Sequence, residues 1–174
     1  MSISKKKKAE RIRIVTRSPE ETVALGRKLA ACLKKDALIA LCGDLGSGKT
    51  TLVKGIAEGL GIDPDRVNSP SFVLIREYRG KRKQLFHADF YRLDDAGSIS
   101  ALGIEEYFPG GAFPGSVFVM EWAKKAEDFL PEDYLLIEIK FTAKEKRTFE
   151  ITGKGDFYKD MVDTLKRRCG KMKS

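Results

Sequence analysis

Two short stretches of the chain, residues 37–42 and 117–120, are apolar without interruption, which predicts strands buried on both faces of a sheet covered by helices. Elsewhere the rhythm changes. Thr22, Leu25, Leu29, Cys32 and Leu33 recur at helical spacing, predicting a helix to about Lys35. Its start is marked by Ser18 as N-cap, Pro19 at the first helical position and Glu21 closing a capping box. A second helix is expected from Thr50 to about Glu58, where Gly59-Leu60-Gly61 stops it. Residues 11–16 alternate like an edge strand, and residues 72–78 and 84–90 flank a Gly-containing turn as a hairpin. A polar helical stretch over 94–107, strands over 134–141 and 147–151, and a C-terminal helix with Phe157, Met161 and Leu165 inward complete the pattern. Alternating strands and helices around one sheet predict an α/β fold, mostly parallel at the centre with antiparallel edge strands and flanking helices.

The connection between the first buried strand and the second helix carries the chemistry. Gly43-Asp44-Leu45-Gly46-Ser47-Gly48-Lys49-Thr50 is a complete GxxxxGK[ST] loop in the strand-loop-helix setting that such a loop needs. Its glycines let successive N–H groups face phosphate oxygens, and the helix start adds partial positive charge. Residues 44–50 are therefore the expected nucleotide contacts, with Lys49 on the β- and γ-phosphates and the Thr50 hydroxyl on Mg²⁺. This narrows the fold to a P-loop NTPase sandwich. A triphosphate site also needs a carboxylate at the tip of a neighbouring strand. Glu121 ends the apolar run 117–120, and Asp89 ends the run 85–88; either can hold a metal-bound water or orient the attacking water. Trp122 is expected in the core rather than stacked on a base, and Ser69-Pro70-Ser71 lies where switch loops fall in chain order. Arg92 can pair with a phosphate or with a carboxylate.

Length and composition limit the alternatives. The chain has 174 residues, 42% of them hydrophobic, which suits one domain, placed at residues 10–168. Basic tails are expected at 1–9, disordered, and at 169–174. The net charge of +8 sits at the ends: residues 1–13 and 159–174 together carry +9, leaving the body near −1. Such tails can attract RNA or an acidic partner, or simply be solvated. Three cysteines without CxxC spacing and a single histidine support neither a disulfide framework nor a zinc site, so a reduced cytoplasmic setting is expected and Cys42 reads as a packed thiol. No run approaches the ~18 apolar residues of a membrane span.

The loop with Thr51 and Leu52 behind it, Ser69-Pro70-Ser71-Phe72, His87-Ala88-Asp89-Phe90-Tyr91-Arg92 and Glu121-Trp122, taken in that order, resembles the TsaE family. The likeness runs from about Ser18 to Arg147. Ser71 stands where the family usually has threonine and Phe90 where it has leucine. The resemblance implies an ATPase of the bacterial tRNA N6-threonylcarbamoyladenosine machinery, using ATP and Mg²⁺. It makes Lys49 and Thr50 phosphate and metal ligands, Glu121 a metal-site acid and Asp89 an acid needed for activity, with Thr51, Ser18 and Arg147 as further nucleotide contacts. It further implies a subunit that docks on two partner proteins acting at adenosine 37 of tRNA, slow when alone, with tRNA met indirectly or through the tails. Two other readings are a small-molecule kinase, with the turn at residues 79–83 as its lid, and a nucleotide-dependent binding module. A GTPase is disfavoured, because no [NT]KxD motif is present and Asp94-Asp95-Ala96-Gly97 follows no apolar strand.

Overall fold

Strand parity decides which side chains meet above and below the sheet. In the computed structural model, which describes residues 10–170, seven strands form one sheet: β1 (Glu10–Thr16), β2 (Ala37–Cys42), β3 (Ile75–Arg79), β4 (Gln84–Asp89), β5 (Ser116–Glu121), β6 (Tyr134–Phe141) and β7 (Arg147–Lys154). Their order is β1-β7-β6-β2-β5-β4-β3. The four central strands β6, β2, β5 and β4 are parallel, whereas β3 on one side and β7 and β1 on the other pair antiparallel. The expected α/β sandwich with antiparallel edges is thus the fold. The terminal stretches 1–9 and 171–174, read from sequence as tails, lie outside the described residues, while Cys169 and Gly170 belong to the last helix.

Successive residues of β2 and β5 feed opposite cores. Ile39, Leu41, Val117 and Val119 pack beneath the helices α1 (Pro19–Ala30), α2 (Lys49–Gly59) and α4 (Asp156–Gly170). Leu38, Ala40, Phe118 and Met120 face the other way, against Ile99 of the short helix α3 (Ala96–Ser100) and the 3-10 turns at Ile104–Tyr107 and Ala123–Phe129. Carrying the same parity to the strand ends puts His87, Asp89 and Glu121 on the α2 side, the three polar residues that continue the apolar rows Leu85 and Val117, Val119.

Several boundaries differ from the sequence pattern. Helix α1 stops at Ala30 rather than near Lys35: Cys32 and Leu33 donate to Leu29 and Ala30 carbonyls, tightening the last turn, and both side chains stay buried in that turn. Strand β3 starts at Ile75, since Val73 and Leu74 both donate to the Pro70 carbonyl and leave Phe72 and Val73 exposed in a turn. The stretch 94–107 is two short helical pieces, broken at Gly103. The 3-10 turn after Trp122 has too little periodicity to be seen in the sequence. Strand β7, finally, extends to Lys154, three residues past the expected end, because antiparallel pairing with β6 continues there. In α4, Met161 and Leu165 are buried as expected, with Phe157 half-buried against the same core.

Helices α1 and α2 touch backbone to backbone. A Cβ on Gly55 would lie 2.2 Å from the Val23 carbonyl oxygen, closer than any packing adjustment relieves. We expect Gly55→Ala to destabilise by about 1–3 kcal/mol in urea unfolding, the overpacking cost exceeding the roughly 1 kcal/mol that alanine gains in a helix; equal or higher stability would contradict the packing described.

Tyr158 ties α4 to β2, its hydroxyl accepting the Leu38 N–H at 2.8 Å. Burial pushes this phenol up to about 12, partly offset by that hydrogen bond. The folded state therefore favours the neutral phenol, and its contribution is whole below the unfolded value of about 10 and is lost as pH rises toward 12. The gap corresponds to roughly 2–3 kcal/mol. Denaturant curves at pH 9 and pH 12 are expected to show this loss for the parent, over and above that for Tyr158→Phe; equal losses in the two proteins would show that Tyr158 is not the group responsible.

Candidate active site

The loop after β2 turns into α2 through Gly48, whose φ of 102° is the left-handed conformation that glycine adopts without strain. This N-terminus has no side-chain cap, and its first-turn residues Lys49, Thr50 and Thr51 line a cavity of about 340 Å³. A helix start with free N–H groups is where an anion binds. Opposite α2, the same cavity is lined by Asp89, Glu121 and Trp122, and at its mouth by Ser69, Ser71, Tyr91 and Arg92.

Lys49 is 4% exposed. Its Nζ donates to the Gly43 carbonyl at 2.6 Å and the Asp44 carbonyl at 2.9 Å, with Ser47 Oγ at 3.5 Å. It also lies 4.3 Å from the centre of the Trp122 ring. Burial pulls its ammonium below the usual lysine range, while the negative charges of Glu121, Asp89 and Asp44 oppose that pull. The two buried acids thus favour the charged form of a cation that burial disfavours.

Glu121 and Asp89 are register partners at the ends of β5 and β4, both nearly buried. Glu121 Oε1 accepts the Thr50 hydroxyl at 2.8 Å and contacts His87 Nε2 at 2.9 Å. Asp89 accepts the Tyr91 N–H on Oδ1 at 2.9 Å and the Ser69 hydroxyl on Oδ2. The switch-like loop is therefore hydrogen-bonded to one of the two carboxylates. Two non-glycine residues with positive φ flank these acids: Leu74 at 65°, whose carbonyl accepts the Asp89 N–H, and Trp122 at 59°, directly after Glu121.

Ser18 and Arg147 meet on the other side of the loop. They line a second cavity, about 100 Å³, which they share with Gly46, Gly48 and Thr51. The antiparallel β1 and β7 pair brings them together, setting Thr16 opposite Arg147. Thr22 and Glu145 line it too, and neither stood out in the sequence, Thr22 because it matched the apolar face of a helix and Glu145 because it sits in an ordinary charged turn. Ser18 also caps α1, its Oγ accepting the Glu21 N–H at 3.2 Å. Thr50, Thr51, Lys49, Asp89, Glu121, Leu45, Gly46 and Gly48 thus converge on the main cavity, whereas Asp44 and Ser47 act from inside the loop through Lys49.

Three expectations need correction or refinement. Arg92 pairs with no carboxylate among the described residues; its guanidinium lies 4.0 Å over the exposed Phe72 ring, an arrangement that leaves its hydrogen-bonding edge open. Trp122 is half-buried: it packs on the second core as expected, and its ring also lies against Lys49. The turn at 79–83 is no lid: Arg82 donates its N–H to the Leu60 carbonyl, so the turn packs on the C-terminal end of α2, away from the loop. Asp95 is a helix cap, accepting the Ser98 N–H at 2.7 Å. Cys42 is half-buried, and burial pushes its thiol up, away from reactivity. No described helix is long and apolar enough to cross a membrane.

Residues 16–149 match the family described as Threonylcarbamoyl adenosine biosynthesis protein TsaE. The tRNA threonylcarbamoyladenosine biosynthesis protein TsaE of Bacillus subtilis is 41% identical over 152 residues, 87% of this chain and 92% of that one. The protein of the same name from Haemophilus influenzae is 33% identical over 145 residues, 80% of this chain and 88% of that one. The crystal structure of Bacillus subtilis YdiB superposes with a TM-score of 0.75 at 36% identity, covering 93% of this chain and 98% of the other. A match across nearly the whole domain, with the glycine loop, the two strand-end acids and Trp122 in place around one cavity, means that this chain belongs to the TsaE family.

Proposed function

We propose that the chain is an ATPase that binds and hydrolyses Mg-ATP to drive a tRNA N6-threonylcarbamoyladenosine modification cycle, as a subunit of a multiprotein complex. The observation that carries this reading is the Thr50–Glu121 hydrogen bond, with Asp89 in register beside it, beneath an uncapped helix N-terminus. A hydroxyl and two carboxylates make an all-oxygen donor set, and Mg²⁺ is commonly held by one or two carboxylates plus phosphates and water. Thr50 can use an oxygen lone pair toward the metal while still donating its proton to Glu121. Bound there, the ion would neutralise charge on the phosphate oxygens.

The remaining work belongs to the chain. The N–H groups at the start of α2 and the Lys49 ammonium hold the β- and γ-phosphates, where charge builds as the terminal bond breaks. Lys49 must leave the Gly43 and Asp44 carbonyls to do so, and the triphosphate replaces those acceptors with stronger, charged ones. Asp89 is suited to orient the attacking water and take its proton, because Ser69 and Tyr91 hold its carboxylate in place. Ser18 and Arg147, across the loop, suit the sugar and base end of the nucleotide. Leu45 and Tyr91, which line the cavity, are exposed, as is Phe72 beneath Arg92, and a docking partner would cover them. The names of the relatives support the tRNA modification, and the loss of a lid candidate counts against the kinase reading.

Titration with a fluorescent ATP analogue is expected to show Lys49→Ala binding about 10–100-fold more weakly, the effect of losing one charged hydrogen-bond donor. Thr50→Ala is expected to lose only the Mg²⁺-dependent part of the affinity. Glu121→Gln and Asp89→Asn are expected to keep most of the binding and lower phosphate release by about 100-fold or more. Parental binding by Lys49→Ala, or parental turnover by both acid variants, would refute the site.

Partner proteins recovered from lysate with ATP, and lost without it, are expected to stimulate phosphate release. Nucleotide-dependent recovery with no stimulation would favour the binding-module reading, and transfer of phosphate to a small acceptor would favour a kinase.

A further inference from the structure

His87 is the one histidine of the chain, and it is completely buried in the middle of β4. It pairs across the ladder with Val119, so its side chain is the diagonal neighbour of Glu121 on the α2 face. Its Nε2 lies 2.9 Å from Glu121 Oε1, while Nδ1 has no hydrogen-bond partner. A buried nitrogen left unsatisfied costs about 1–3 kcal/mol, a cost that phenylalanine or leucine would avoid in the same space. Packing therefore does not explain the imidazole. The contact to Glu121 does.

We infer, building on the ATPase reading above, that His87 is the positioning residue for Glu121. The neutral ring with its proton on Nε2 fits both nitrogens: Nε2–H donates to the carboxylate, and only a bare lone pair, not an N–H, is stranded at Nδ1. Oε1 thus takes two donors, His87 from the sheet and Thr50 from the helix, which leaves Oε2 as the oxygen for a metal-bound or attacking water. The two donors differ in what they depend on. Thr50 sits in the first turn of α2, where its hydroxyl would also face the metal, whereas His87 is held by a central strand paired on both sides. His87 keeps the acid aimed whatever the nucleotide state. Metal sites show the same logic when a carboxylate ligand is oriented by a hydrogen bond from behind it.

The test uses the full chain with its partners, measuring phosphate release, the Mg²⁺ dependence of fluorescent ATP-analogue affinity, and the thermal midpoint. His87→Phe keeps bulk and loses the donor; it is expected to lower kcat and weaken the Mg²⁺ dependence by about 10–100-fold, with Mg²⁺-free nucleotide affinity at the parental level. His87→Gln, whose amide can reach Glu121, is expected to recover most of the loss, and His87→Asn, one methylene shorter, to recover little. In a Glu121→Gln background His87→Phe is expected to add nothing. Folded His87→Phe with parental kcat and Mg²⁺ dependence would overturn the inference, and so would equal defects in Gln and Asn variants or losses that multiply with Glu121→Gln. If His87→Phe does not fold, the Gln and Asn comparison decides alone. A parent chain without Mg²⁺-dependent nucleotide binding or phosphate release would remove the ATPase reading and this inference with it, whereas an active parent with indifferent His87 variants would remove this inference only.

Discussion

Parallel pairing of β4 with β5, in the register that sets Asp89 against Glu121, is the constraint on which the polar chemistry of this protein depends. A shift of one residue would invert the parity of β4, turning His87 and Asp89 toward the opposite core and Phe86 and Ala88 toward α2. That slip is opposed by the apolar rows on both faces, since Leu85 belongs to one core and Phe86 and Ala88 to the other. The hydrophobic pattern thus does more than stabilise the sheet: it holds the two acids in adjacent positions beneath the helix start. On the far side of α2, the backbone contact at Gly55 sets how closely that helix lies to α1.

Lys49, His87, Asp89 and Glu121 are all nearly or fully buried, an expensive choice for a small domain. Replacing such a set by apolar residues often costs a fold nothing, so stability is a poor reason for its presence. On the ATPase reading proposed above, its value would lie in low polarity around the phosphates, where fixed charges act more strongly than they do in water. Leu74 and Trp122 fit the same account. Each holds a left-handed backbone that costs a side-chain-bearing residue roughly 1–2 kcal/mol, and each directly adjoins an acid, one through its carbonyl to Asp89 and one through the peptide bond to Glu121. Strain is concentrated where the chain enters β3 and where it leaves β5.

Much of this was legible in order along the chain. The loop from Gly43 to Thr50, the strands at Ala37–Cys42 and Ser116–Glu121 and the cap at Ser18 are local events, governed by φ/ψ freedom, spacing and side-chain-to-backbone hydrogen bonds within a few residues. The two acids could be chosen because an apolar run ending in a carboxylate places it at a strand tip. Which partner each residue meets was another matter. Thr50 and Glu121 are 71 positions apart, His87 and Glu121 are 34 apart, and Ser18 reaches the loop beside Arg147 only because β1 pairs with β7. No spacing encodes those distances; strand order does, and strand order follows from which apolar faces can be buried together. Arg92 over Phe72, Trp122 against Lys49 and the turn at 79–83 on the far end of α2 were decided in the same way, by backbone direction and packing after the elements had assembled. The sequence by itself determined the elements and the reactive groups they carry, because those depend on neighbours along the chain; the tertiary structure alone decided which groups share a cavity, because that depends on neighbours across the sheet.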